Sequence, residues 1–299
     1  VTDHESTERD AGAGVDAERS PRPAGRGVLV LVGTPIGNLG DLSPRATEAI
    51  ASADLLCCED TRRAGRLLAH LGVRVPALRV VNEHTEVATV AEVLDRVARG
   101  EQVVVTSDAG MPGISDPGER LVAAVVAAGL DVESVPGPSA AITALVVSGL
   151  PTGRFSFEGF LPRKGSGRTE RLREVAAATA TVVLYEAPHR LVRTVGDLAA
   201  VCGADRRVVL ARELTKLHEE LWRGTLAEAQ VHVANREPRG EYVVVLDGAP
   251  PPAEVDDDAI RAALATARAD GASTRDAVAA VVDALGVAKR RVYDLATGR

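Results

Sequence analysis

Aromatic side chains are scarce in this 299-residue chain, with three Phe, three Tyr and one Trp. Base reading by stacking on a series of rings is therefore limited from the start. Cysteine is nearly as rare: Cys57, Cys58 and Cys202 stand in no CxxC pair and no Cys/His cluster. That argues against a metal site and a catalytic thiol, and without a recognisable secretory signal the thiols are expected to be reduced, in the cytoplasm. Long hydrophobic runs are missing although 45% of residues are apolar, so a soluble globular protein with no membrane span is expected. Lysine occurs three times among 35 basic residues, at Lys164, Lys216 and Lys289. With abundant Ala and Val this reads as a GC-rich coding sequence, in which Val1 would be a decoded GTG start. The net charge of −7 excludes a protein that coats nucleic acid by overall electrostatics; any such contact has to be local.

What is present alternates. Residues 1 to 26 carry almost no bulky apolar side chain and read as a disordered tail. From Gly27 on, short β-branched runs at Val28–Val32, Asp54–Cys58, Leu78–Val81, Gln102–Thr106 and Asp131–Val135 predict strands buried on both faces. Helices are expected between them, among them Ser43–Ala53, with Ser43 as cap and Pro44 in the first turn, and Glu86–Arg99, closed by Gly100. This predicts an α/β domain over residues 27–150, its sheet mostly parallel and its ligands at the carboxyl ends of the strands. Strands at Phe155–Gly159, Thr181–Tyr185, Arg207–Arg212 and Glu241–Asp247 predict a second α/β domain over 151–248. A Gly-Ala-Pro-Pro-Pro linker then opens a helical extension, 249–299, in which Ser273 and Asp276 form a capping pair and Gly286 ends a helix. That extension resembles a helix-turn-helix, and packing appendage and nucleic-acid contact are both open readings of it.

Three loops carry the chemistry. Gly33 to Asp41 follows the first strand with spacing G-x-x-x-G-x-x-G, which is neither a P-loop nor a dinucleotide fingerprint. Thr106 to Gly118 follows the fourth strand with no element of its own, and three glycines and two prolines among hydroxyls and carboxylates make it a shaped binding loop. Asp108 and Asp116 suit ribose hydroxyls or a cationic group, and without Lys or Arg the loop is not built for phosphates. Val135 to Ala141 is a tight turn opening a helix of small residues. Further on, Arg154, Arg163, Lys164, Arg168, Arg171 and Arg173 outnumber Glu158 and Glu170, a local basic stretch in an acidic chain. Within it, Pro162 to Gly165 reads as a mobile loop able to meet phosphates, against the alternative of a solvated turn.

The segments GTPIGNLGDLSPRA, CCEDTRR, SDAGMPGISDPG, VPGPSAA, LYEAPHRL, ARELTK and RGEYVVVLDG, in this order, resemble the hallmark segments of the RsmI family. These are the ribosomal RNA small-subunit cytidine 2′-O-methyltransferases. The resemblance covers about Val28 to Asp247 and extends to the helical appendage. CCEDTRR, LYEAPHRL and ARELTK separate it from tetrapyrrole methylases at large.

The resemblance implies a two-domain tetrapyrrole-methylase fold that binds S-adenosylmethionine in a cleft between its domains. Pro35, Asp108, Ala109, Gly110, Met111, Ile114, Ser115, Asp116, Ser139 and Ala140 would line that site, with Tyr185 and Glu186 from the second domain. It also implies a decoding-site cytidine of 16S rRNA in the small ribosomal subunit as substrate, and a homodimer. Asp60, Lys216 and Glu241 are the catalytic candidates, with Glu213 beside Lys216. Asp60 stands where it serves either as base or as a helix cap. Arg62, Arg163, Lys164, Arg168, His189 and Arg190 are the candidates for RNA contact. No metal is required. The rival readings are a corrinoid or other tetrapyrrole methyltransferase, and a non-catalytic nucleotide-sensing or RNA-binding protein.

Overall fold

In the first strand Val28, Val30 and Val32 point to one face and Leu29 to the other, and all four are buried. A strand apolar on both faces needs helices on both, and the chain supplies them. The computed structural model describes residues 26–250 and 255–298. Contacts divide the chain into two units: residues up to Thr143 with Glu213–Glu219, and Ala144–Arg212 with the rest from Glu220 on.

The first unit contains β1 (Val28–Val32), α1 (Pro44–Ala51), β2 (Leu55–Cys58), α2 (Thr61–Leu71), β3 (Leu78–Val80), α3 (Glu86–Ala98), β4 (Gln102–Thr106), α4 (Glu119–Ala127) and β5 (Asp131–Val135). Its five strands run in the order β3-β2-β4-β1-β5, every pair parallel. Ala46, Ile50 and Leu68 of α1 and α2 pack with Val28, Val30, Val32, Leu56 and Val104 on one face. Val93, Val97, Leu121 and Val125 of α3 and α4 pack with Leu29, Leu55, Cys57, Val103 and Val105 on the other. Chain order turns back at β1, which lies between β4 and β5. Such a switch point opens a crevice at the carboxyl ends of the strands.

Helix α5 (Ala140–Ser148) follows β5, and the boundary between the units falls within it. The second unit continues with β6 (Phe155–Phe160), α6 (Ser166–Ala177), β7 (Thr181–Glu186), α7 (Pro188–Cys202), β8 (Arg207–Arg212), β9 (Glu220–Thr225), α8 (Leu226–Ala234) and β10 (Tyr242–Leu246). The sheet order is β6-β7-β10-β8-β9, with β6 and β7 parallel and the other pairs antiparallel. Strand β9 has no counterpart in the sequence reading; its ELWRGT lacks the apolar run that marks the others. Arg206, just ahead of β8, is buried and donates to the carbonyls of Asp247, Ala176 and Ala178 at 2.7, 2.8 and 3.0 Å. It closes the carboxyl end of α6, where helix carbonyls lack partners.

The last helices, α9 (Asp257–Ala269), α10 (Thr274–Leu285) and α11 (Lys289–Thr297), enclose their own small core of Ile260, Leu264, Ala277, Val278, Val281 and Val292. Ser273 caps α10 through the Asp276 amide, and Gly286 ends it in the left-handed region. The extension therefore has three helices, one more than the pair expected. The tail expected over residues 1 to 26 lies outside the described residues save Arg26, which pairs with Asp131 at 2.9 Å. Pro251 and Pro252 of the expected linker lie outside them too.

Two features of the first unit have measurable consequences. Glu86, 6% exposed, accepts the amides of Gly118 and Arg120 at 2.9 and 3.0 Å, tying the start of α3 to the start of α4. A carboxylate at the amino end of α4 meets unpartnered N–H groups and the positive end of the helix dipole. Glu86→Ala is expected to lower stability by about 3 kcal/mol in urea unfolding, with Glu86→Gln near half of that. A loss within a few tenths of a kcal/mol would refute the capping role. Burial pushes the Cys57 thiol up to about 12 and that of Cys58 up to about 11. Since the thiolate is the nucleophile, iodoacetamide at mildly alkaline pH is expected to leave both unlabelled until the protein unfolds; rapid native labelling would contradict this.

Candidate functional site

Neighbouring strands β4, β1 and β5 deliver three loops to the same end of the first sheet, and backbone contacts bind these loops together. Thr34 and Gly110 exchange hydrogen bonds, the Thr34 amide donating at 2.8 Å and the Gly110 amide at 3.0 Å. The Thr34 hydroxyl adds a bond to the Ser107 carbonyl at 3.2 Å. The Gly33 amide donates to the Val135 carbonyl at 3.0 Å. A Cβ on Gly33 would stand 2.6 Å from the Gly137 Cα, and one on Gly137 would stand 2.7 Å from Gly33 backbone. Both positions therefore demand glycine because the backbones touch.

Within the long loop, Gly110, Gly113 and Ser115 have φ of +83°, +82° and +61°. Ser115 bears the cost of that conformation, about 1 kcal/mol or more for a residue with a Cβ. The loop presents Ile114 and Ser115 exposed, with Asp108, Ala109, Met111 and Asp116 half-buried and Gly110 buried. Pro35, Ser139 and Ala140 are half-buried in the neighbouring two loops. The structure thus gathers in one unit every cofactor candidate except Tyr185 and Glu186.

Beside this cradle β2 leads into Glu59 and Asp60. The Asp108 amide donates to Glu59 Oε1 at 3.1 Å, and the Asp108 carboxylate pairs with Arg63 at 3.3 Å. Burial raises the pKa of Asp108 above the usual aspartate value, with Arg63 opposing it; burial also raises that of Glu59. Asp60 behaves differently. It caps α2 by accepting the Arg62 amide at 2.7 Å and pairs with the Arg62 guanidinium at 3.1 Å, which lowers its pKa. Of the two roles left open for Asp60, the structure displays the cap, and Arg62 is engaged with it. Among the described residues no group of three or more His, Cys, Asp or Glu is arranged to hold a metal ion.

Lys216 reaches this loop cluster from far along the chain, because Glu213–Glu219 is part of the first unit. A Cβ on Gly37 would lie 2.3 Å from Lys216 Cγ and 2.8 Å from Thr215 Oγ1. The segment is strained: Glu213 and Thr215 have φ of +50° and +66°, a rare conformation for a β-branched residue. The Thr215 hydroxyl is buried without a partner. Lys216 Nζ donates to Glu213 Oε1 at 2.9 Å, and Leu217 stands 92% exposed. Strain of this kind, locally unfavourable and held by its surroundings, gathers at functional sites. The sequence held no signal for Thr215, since positive φ at threonine is set by packing.

The second unit holds the remaining candidates. Glu186 is 1% exposed; its carboxylate accepts from Thr194 Oγ1 at 2.5 Å and pairs with Arg190 at 3.1 Å. Glu241 is exposed just ahead of β10, where Tyr242 sits opposite Glu186 and Arg212. Arg163, Lys164 and His189 are exposed. Arg168 corrects the expectation of RNA contact. It is 4% exposed, and its guanidinium is consumed by Asp197 at 2.8 Å, the Pro162 carbonyl at 3.0 Å and Thr194 at 3.0 Å. A guanidinium that far from water needs such partners, and the stretch 154–173 is accordingly not one basic face. Arg171 is drawn off in the same way, pairing with Glu158 and Glu174 at 3.0 Å each.

Comparison with known proteins gives this geometry a family. Residues 28–230 match the family model described as Tetrapyrrole (Corrin/Porphyrin) Methylases. The chain is 41% identical to the ribosomal RNA small subunit methyltransferase I of Synechocystis sp., over 90% of its own length and 97% of the relative's. It is 44% identical to the protein of that name from Mycobacterium tuberculosis, over 90% and 94%. Among solved structures, uroporphyrin-III C-methyltransferase from Thermus thermophilus complexed with S-adenyl homocysteine aligns with a TM-score of 0.52 at 21% identity, over 75% of this chain and 97% of that one. That likeness concerns the fold, a two-sheet α/β arrangement with a helical extension added here. By these matches the chain belongs to the ribosomal RNA small subunit methyltransferase I family within the tetrapyrrole methylases.

Proposed function

We propose that this protein transfers the methyl group of S-adenosylmethionine to the ribose 2′-hydroxyl of a decoding-site cytidine in 16S rRNA of the small ribosomal subunit. The observation that carries the reading is the locked three-loop cradle of the first unit, with Asp108 on its long loop and Lys216 brought to Gly37. The cradle fits the cofactor. Between Thr106 and Gly118 there is no cation to repel a sulfonium, while carboxylates, a serine hydroxyl, backbone and the apolar Ile114 and Met111 match a nucleoside bearing positive charge. Pro35, Asp108 to Met111, Ile114 to Asp116, Ser139 and Ala140 would hold it.

When bound, the cofactor supplies a methyl group activated by the positive sulfur. The chain has to place the acceptor oxygen in line and manage its proton. A ribose hydroxyl is a weak acid, so a cation that stabilises the forming alkoxide speeds the transfer. Lys216 is assigned that role, oriented by Glu213, and Glu241 is the remaining candidate for taking the proton. Asp60 is assigned a positioning role, capping α2 and holding Arg62 at its start. RNA contact is assigned to Arg62, Arg163, Lys164 and His189, with Arg190, held by Glu186 and the Leu161 carbonyl, behind them. The reading places the protein in the cytoplasm, with its substrate, as a homodimer; no helix among the described residues is long and apolar enough to cross a membrane.

Asp108→Ala is expected to weaken S-adenosylmethionine binding about tenfold or more in calorimetry, the worth of a charge-assisted hydrogen bond; unchanged affinity would remove Asp108 from the site. The activity itself is tested by transfer of labelled methyl to small subunits lacking their native ribose methylations, with free RNA and a corrinoid precursor alongside. Label mapped to a decoding-site cytidine ribose is expected. Label on the corrinoid alone points to the tetrapyrrole reading, and cofactor binding without transfer points to the non-catalytic one. In the same assay Lys216→Met is expected to lower kcat by roughly a hundredfold at unchanged cofactor affinity. Full turnover would move the oxyanion role elsewhere.

A further inference from the structure

One cavity of the second unit differs in character from the cradle. It has a volume of about 320 Å³ and is lined by Arg163, Arg168, His189, Arg190, Arg193 and Thr194. Four arginines line it, and the carboxylates paired with them are Glu186, bound to Arg190, and Asp197, bound to Arg168 and Arg193. The cavity therefore keeps an excess of two positive charges before His189 is counted. Part of the cluster is structural: Arg190 donates to the Leu161 carbonyl, Arg193 donates to the Arg163 carbonyl at 3.2 Å, and Arg168 holds the Pro162 carbonyl. These bonds fix the backbone of residues 161–163 as one wall. The Arg163 guanidinium has no partner among the described residues, and Arg193 is 61% exposed. Like charges crowded around an open cavity repel one another unless an anion joins them.

We infer that this pocket is a phosphate subsite that takes a backbone phosphodiester of the RNA substrate, with Arg163 and Arg193 as its direct donors and Arg168 and Arg190 as its frame. The inference rests on the RNA reading above and deepens it. Guanidinium groups suit phosphate because their planar donor pairs match two of its oxygens. Contacts of this kind position the nucleic acid without reading its sequence. In a chain of net charge −7, an inward-facing basic pocket confines attraction for RNA to one place. Arg193 was absent from the sequence candidates because it stands outside the basic stretch, brought in by one turn of α7 from His189 and Arg190.

The test is binding of a short labelled single-stranded RNA, read by fluorescence anisotropy over a salt series, to the full chain carrying Arg163→Gln, Arg193→Gln or both. Arg207→Gln, an exposed arginine of the same unit paired with Asp247, controls for loss of charge alone. Each pocket variant is expected to bind about tenfold more weakly and to lower the salt slope by about one phosphate contact. The Arg207 variant is expected to stay near the parent, and S-adenosylmethionine affinity and melting temperature to stay unchanged in all of them. Pocket variants that bind like the Arg207 variant would overturn the proposal, as would a parent protein with no measurable RNA binding. Pocket-dependent RNA binding without methyl transfer to subunits would sink the activity alone, whereas transfer with pocket variants of unaltered KM for subunits would sink the pocket alone.

Discussion

The contact between Gly33 and Gly137 is the constraint on which the first unit's site depends. At that point the turn after β1 and the turn after β5 touch backbone to backbone, and the smallest side chain on either would overlap the other. Their approach lets the Thr34 amide and carbonyl reach Gly110, so the long loop after β4 is held by the loop beside it. Glu86 fixes the far end of the same loop at Gly118. A thirteen-residue connection with no helix or strand is thereby anchored at its start, near its middle and at its end. It offers a ligand a shape that is already formed, which lowers the ordering cost of binding.

Charge is distributed unevenly between the two units. The cradle is lined by carboxylates whose pKa values burial raises, Asp108 and Glu59, and Arg63 rather than a loop residue compensates them. The guanidinium groups of the second unit do two jobs. Arg206 and Arg168 are internal fasteners whose hydrogen bonds go to backbone carbonyls, Thr194 and Asp197, while Arg163 and Arg193 line the neighbouring cavity and stay exposed. Burying a guanidinium is tolerable where every donor is satisfied, and both internal ones meet that condition to a large extent.

The strained segment from Glu213 to Glu219 joins these themes. It is carried into the first unit although strands of the second unit flank it on both sides, and its left-handed Glu213 and Thr215 bring Leu214, Thr215 and Lys216 against Gly37. Such a segment keeps its shape only while its surroundings do. That gives a physical reason for lysine at 216 in a chain with two others: a primary amine there is directed by Glu213, with the length to reach beyond the segment's backbone.

Much of the fold was legible because the strands are apolar on both faces and the glycine and proline punctuation between them is dense. Val28–Val32, Gln102–Thr106, Asp131–Val135 and Arg207–Arg212 stand where the residue pattern placed them. Strand β9 escaped because a polar, glycine-containing edge strand carries no such pattern. The three loops were legible as chemistry, since their glycines, prolines and carboxylates have few other uses. Tertiary structure decided what residue type cannot. It turned Arg168 inward and Arg193 into the neighbouring cavity, made Asp60 a helix cap, and brought Lys216 to Gly37. Sequence fixes which groups a chain owns and the periodicity of its elements; the position and solvation of each long polar side chain depend on the packing of residues far away in the chain, and burial is what converts an arginine from a surface charge into a structural bolt.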